Sequence, residues 1–89
     1  MRYLIKVRLK EKNEKALLKA IDNQTLGYGS IAYPAFKKCM ENARLLINGE
    51  IQWVEVCYCR EAFGPGKELI EELPYWEEYF HNIKIMMAR

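Results

Sequence analysis

The sequence predicts an α+β fold, an antiparallel sheet with helices on one face, and three observations carry that reading. Both ends of the chain, residues 2–9 and 82–88, alternate apolar and polar side chains. A β-rich segment, residues 51–59, lies between them, and amphipathic helical stripes fill the intervals. The resulting order is strand, helix, an irregular stretch with a helix, central strand, helix, strand. Helices that cross between strands and pack on one sheet face make this a ferredoxin-like sandwich.

Length and composition set the frame. At 89 residues, 51% of them hydrophobic, the chain is one domain (residues 1–89) with one core. Domains this small bury a reduced share of their surface, so self-association is expected. A net charge of +2 neither requires nor excludes a nucleic-acid partner. No apolar run approaches the roughly 20 residues that cross a bilayer. The N-terminal MRYLIKVRLK interleaves charges with apolar residues and so lacks a signal-peptide core; a cytoplasmic protein is expected. Three cysteines, an odd number, fit reduced thiols better than a disulfide framework. Lys and Glu are abundant and Asp22 is the single aspartate, a thermophile-like bias.

In the first strand, Tyr3, Ile5, Val7 and Leu9 share one face, and Arg2, Lys6, Arg8 and Lys10 share the other with Leu4. Asn13 is placed to cap a helix carrying Leu17, Leu18, Ala20 and Ile21. Residues 25–33, TLGYGSIAY, read as a loop or a short irregular strand. Tyr33 precedes proline and is disfavoured from helix, while Pro34 suits a first helical position. Phe36, Cys39, Met40, Ala43, Leu46 and Ile47 then form the best helical stripe in the chain, predicting a helix through about Leu46. A competing reading takes Asn48-Gly49 as a hairpin turn pairing residues 44–47 with 51–54.

Residues 51–59 are a strand in either case. Ile51, Trp53, Glu55, Cys57 and Cys59 share one face; Gln52, Val54, Val56 and Tyr58 share the other. Apolar residues on both faces predict a central strand covered on both sides. Residues 63–67, FGPGK, are a tight turn, followed by a short helix with Leu69, Ile70 and Leu73 inward that meets Pro74. An aromatic cluster, Tyr75, Trp76, Tyr79 and Phe80, precedes the last strand, where Ile83, Ile85 and Met87 alternate with Asn82, Lys84 and Met86.

The segment ELIEELPYW at residues 68–76, with Tyr79 and the strand at 83–87, resembles the end of muconolactone-isomerase-like members of the dimeric α/β-barrel superfamily. There a helix ends in Leu-Pro, an aromatic residue follows, and a terminal strand closes the sheet. The resemblance spans about residues 68–87. It implies a dimeric α/β barrel in which helix-free sheet faces pack together. No catalytic residue of that family falls on a matching position, and the usual strand pair between the helices is clear here only for residues 51–59.

Glu55 is the candidate catalytic residue. A carboxyl among Ile51, Trp53, Cys57 and Cys59 is desolvated and its pKa raised, as a general acid or base requires. The bland alternative is a structural ion pair with Lys6, Arg8 or Lys84 on the open side of the sheet. Cys57 and Cys59 invite a metal reading with Cys39 and His81. Alternate strand residues, however, stand about 6.6–6.8 Å apart, too far for two thiolates on one zinc or for a disulfide. Buried packing thiols are therefore expected, with no metal and no cofactor. His81, the single histidine, reads as a surface residue. Trp53, Trp76 and Tyr79 are the candidate ligand-binding residues, lining an apolar pocket or filling a core or dimer interface. Gly64-Pro65-Gly66-Lys67 lacks the phosphate-loop pattern and reads as a turn.

The function these features predict is a homodimer that binds a small apolar molecule, with cofactor-free, isomerase-like proton transfer as the accompanying chemistry. Two alternatives stand beside it. One is a nucleic-acid-binding module using the sheet face, with Lys6, Arg8 and Lys84 as cations and Trp53 or Tyr58 stacking on bases. The other is a non-catalytic structural or regulatory subunit.

Overall fold

A computed structural model describes residues 1–88 of the chain. Strands β1 (Arg2–Leu9), β2 (Arg44–Leu45), β3 (Ile51–Val56) and β4 (Phe80–Met87) form one antiparallel sheet in the order β2-β3-β1-β4. Helices α1 (Glu14–Asp22) and α2 (Tyr33–Asn42) lie between β1 and β2; α3 (Cys59–Phe63) and α4 (Leu73–Glu77) lie between β3 and β4. Each crossover skips one strand position, filled by β3 in the first case and β1 in the second. That is the α+β, ferredoxin-like order expected from the sequence. No helix among the described residues is long and apolar enough to cross a membrane.

The alternation in β1 does what a period of two dictates. Tyr3, Ile5 and Val7 are fully buried under the helices, and register pairs Tyr3 with Glu55 and Ile5 with both Trp53 and Ile85. Leu17 and Ala20 of α1 and Phe36 and Cys39 of α2 close over them. The centre of this layer is aromatic. Trp76 stacks on Phe36 at a centroid distance of 4.6 Å and meets Trp53 at 4.8 Å and Phe80 at 5.9 Å. Buried aromatic side chains of this size dominate the energetics of a small core.

Several elements differ from the sequence reading, each for a local reason. Helix α2 stops at Asn42, since Ala43 is extended and Arg44 and Leu45 pair with Gln52 and Ile51. The hairpin reading of Asn48-Gly49 is therefore the correct one. The Leu46 amide donates to the Glu50 carbonyl at 2.7 Å, and the Asn48 side chain accepts from the Glu50 amide at 3.0 Å. Ile47, counted in the helical stripe, is fully exposed. Tyr33 opens α2 despite Pro34, held there by an edge contact with the Tyr28 ring and a hydroxyl bond to the Gln24 carbonyl. The helix expected around residues 69–73 is instead a run of turns. Leu69 is fully buried at φ +57°, a left-handed conformation that breaks a helix, and Ile70 is exposed. Helix α4 begins at Leu73-Pro74 rather than ending there, because proline has no amide to satisfy in a first turn.

The face opposite the helices is open in the single chain. Leu4, Val54 and Met86 form one cross-strand row on it, with Val56 alongside. The expectation that β3 is covered on both faces is thus corrected for the chain alone. Lys6 and Lys84 stand on this open face, directly opposite each other across the β1–β4 pair. Lys84 bonds the Glu50 carboxylate at 3.0 Å, not Glu55, which projects into the core.

Gly27 gives a direct check on this packing. It lies at φ +74°, and a Cβ there would fall 2.5 Å from the Phe36 ring. Gly27→Ala is expected to destabilise the fold by roughly 2–4 kcal/mol, through backbone strain and displacement of a core ring. Urea unfolding measures this; a change below about 0.5 kcal/mol contradicts the placement of Phe36.

Candidate functional site

The site begins where β3 ends. The Cys57 amide donates to the Met1 carbonyl at 3.0 Å, and the N-terminal ammonium donates to the Cys57 carbonyl at 3.1 Å and to Glu61 at 2.9 Å. Pairing between β3 and the start of the chain therefore persists to Cys57. Tyr58 then leaves the extended region (φ −111°, ψ 12°) and Cys59 starts α3. This break overturns the spacing argument made from the sequence. Cys57 and Cys59 are not alternate residues of one strand, and the Cys59 amide turns back to donate to the Cys57 sulfur at 3.3 Å.

The turns at residues 64–72 supply the third member. Buried Leu69 anchors them, and its carbonyl accepts from the Glu72 amide at 3.0 Å and the Leu73 amide at 2.9 Å. Glu72 is thereby held 3% exposed. The two sulfurs and a Glu72 carboxylate oxygen all lie within 4.8 Å of one another. Glu72 Oε2 has no hydrogen-bond partner among the described residues. Leaving such a group buried costs on the order of 1–3 kcal/mol, an unusual expense for a domain of marginal stability.

Glu55 stands behind this group, on the core side. Its Oε1 accepts from the Trp53 indole Nε1–H at 2.8 Å. Burial, against the opposing Trp53 bond, and charge repulsion from Glu72 together raise its pKa to about 8. Burial likewise raises the Cys57 thiol to about 12 and moves Cys39 upward, with Glu55 and Glu72 adding to the shift at Cys39. Cys39, on α2, faces the carboxyl pair from the helix layer.

A cleft opens over the thiol and Glu72 end of this cluster. It has a volume of about 350 Å³, and its wall includes Val56, Tyr58, Ala62 and Phe63 as well as Cys57, Cys59 and Glu72. Tyr58 and Phe63 present exposed rings at its rim. A second depression, between α1 and α2, is smaller at about 170 Å³ and carries no carboxyl or thiol.

Of the residues singled out in the sequence, Glu55 is at the cluster but not on the cleft wall. Trp53 and Trp76 lie together in the aromatic core layer, and Tyr79 is buried beside them. His81 is exposed at the other end of the sheet, opposite Arg8, and does not join the cysteines. Glu72 and Phe63 were missed as site residues, and Tyr58 was singled out only as a base-stacking residue. No sequence signal marks Glu72, which directly follows Glu71, as a buried acid.

No family model, curated protein or solved structure matches the chain.

The raised Glu55 pKa has a sign that stability measurements can read. In the unfolded chain the carboxyl titrates near about 4.3; in the fold it holds its proton to about 8, facing Glu72, Cys39 and the Trp53 indole. Between those values the folded chain binds the extra proton, so stability falls as pH rises. The loss between pH 5 and 8 is expected to be on the order of 2–4 kcal/mol in chelator-containing buffer. Glu55→Gln, which keeps a neutral group there, flattens the profile. A wild-type urea midpoint that holds level or rises over that range contradicts the assignment.

Proposed function

We propose that the protein binds a small, largely apolar molecule in the cleft at the end of β3, oriented by the acid at its base. The observation that carries this reading is the union of an apolar wall with a buried, incompletely bonded carboxylate. Val56, Ala62 and the Tyr58 and Phe63 rings offer apolar surface, and Glu72 offers the polar anchor. Clefts of roughly 300–1,000 Å³ with few convergent polar groups are the usual form of small-molecule sites. Glu55 acts through Glu72, as the proton-bearing partner fixed by Trp53. An acid pair against an apolar wall is also the arrangement that cofactor-free proton transfer needs.

The same reading takes the protein as a homodimer, favoured by the row Leu4, Val54 and Met86 on the open sheet face. Packing that row against its copy removes it from water and leaves the cleft, which lies beyond the strand end, accessible. The nucleic-acid reading finds less support, because Trp53 is buried and the open face carries no aromatic ring on β1 or β3.

An apolar fluorescent probe such as Nile red is expected to bind the chain once, and Ala62→Trp, which fills the cleft, to weaken binding at least about tenfold. Unchanged affinity in that variant overturns the cleft assignment. Sedimentation is expected to give the mass of two chains for the wild type and one for Val54→Lys; a single-chain mass for the wild type overturns the dimer.

A further inference from the structure

We propose that Cys57, Cys59 and Glu72 form a three-ligand site for a thiophilic divalent cation of the zinc class, with its fourth position facing the apolar cleft. The inference deepens the cleft reading and rests on it only for what fills that fourth position.

Geometry is the first support. Tetrahedral zinc, with sulfur at about 2.3 Å and carboxylate oxygen at about 2.0–2.2 Å, places its ligand atoms about 3.5–3.8 Å apart. The three atoms here already lie within 4.8 Å of one another. Closing the set asks for ligand-atom separations to shorten by about 1 Å. The sequence spacing Cys-x-Cys permits this only because the chain turns at Tyr58, so that Cys59 stands on the first turn of α3.

The unpartnered Glu72 oxygen is the second and independent support. Glu72 is 3% exposed, and its Oε2 meets no donor among the described residues. A cation supplies the missing partner. Cys59 lines the cleft and is only half-buried, so an ion has a route in.

The surroundings match what ligands of a metal need from the next layer. The Cys59 amide donates to the Cys57 sulfur at 3.3 Å. Backbone donors of this kind favour a thiolate. Glu55, fixed by the Trp53 indole, stands on the core side of Glu72 as part of the layer behind the ligands. The buried Tyr3 hydroxyl is likewise without a partner among the described residues. Two thiolates and one carboxylate are a mixed soft and hard set, which suits zinc or cobalt better than magnesium or calcium. Binding converts two thiols to thiolates and releases two protons to the buffer.

The test uses the full chain, reduced and freed of metal with a chelator that is then removed. Cobalt(II) is expected to bind once per chain, with a thiolate-to-cobalt charge-transfer band and visible bands of tetrahedral intensity; zinc displaces it. Cys59→Ser is expected to weaken zinc at least about 100-fold and Glu72→Gln about tenfold or more. Cys39→Ala leaves affinity within about twofold. Cys59→Ser, at a half-buried position, is expected to keep the fold, read as a metal-free urea midpoint equal to that of the wild type, so loss of metal alone is readable. Cobalt spectra without thiolate charge transfer, zinc affinity unchanged in Cys59→Ser, or a Cys57–Cys59 disulfide in the protein as isolated overturns the proposal. If Nile red binds and zinc does not, only the metal site falls; if the probe fails in the wild type, the cleft reading falls.

Discussion

The hydrogen bond from the Trp53 indole to Glu55 is the constraint on which the site depends. Both side chains belong to the buried face of β3, and the register with β1 sets Glu55 beside Tyr3. A carboxylate there with no donor would be very unfavourable. The indole satisfies one oxygen, and protonation removes the charge. That solution ties the site to the core, since the same Trp53 ring packs on Trp76 and Phe80. The aromatic layer that stabilises the sheet also fixes the acid.

From this fixed point the site is assembled by two breaks in regular structure. Strand β3 ends at Val56, and the helical start at Cys59 folds one thiol back toward the other. Turns anchored by Leu69 in a left-handed conformation bring Glu72 in from the opposite side. A non-glycine residue held there is strained, and the strain persists because Leu69 is fully buried. Continuous strand and continuous helix through these positions would separate the three groups.

Much of the fold was legible in the sequence because it follows from periodicity. The alternation of Tyr3, Ile5 and Val7 and of Ile83 and Ile85 indicated one-sided strands, and Glu55 was visible as a carboxyl on the Trp53 face. Legibility failed where tertiary contacts override local pattern. The stripe through Leu46 and Ile47 looks helical, yet the Asn48-Gly49 turn and pairing to Ile51 win. The cysteine spacing excluded a shared ligand only if the strand ran to Cys59. Nothing in composition marks Leu69 as left-handed, and without that Glu72 reads as a solvated helix residue. The alternative of an ion pair from Lys6, Arg8 or Lys84 to Glu55 fails because Glu55 projects into the core, and Lys84 pairs with Glu50 instead.

The central claim is that Glu55 is buried, protonated at neutral pH, and held by the Trp53 indole. Proton–nitrogen correlation spectra of the two indole N–H groups, assigned with Trp76→Phe, test it most directly across a pH titration. The Trp53 resonance is expected to shift with a midpoint near about 8, while the Trp76 resonance, whose N–H has no partner, stays in place. A Trp53 midpoint in the ordinary carboxyl range near about 4.3, or no shift at all, contradicts the account.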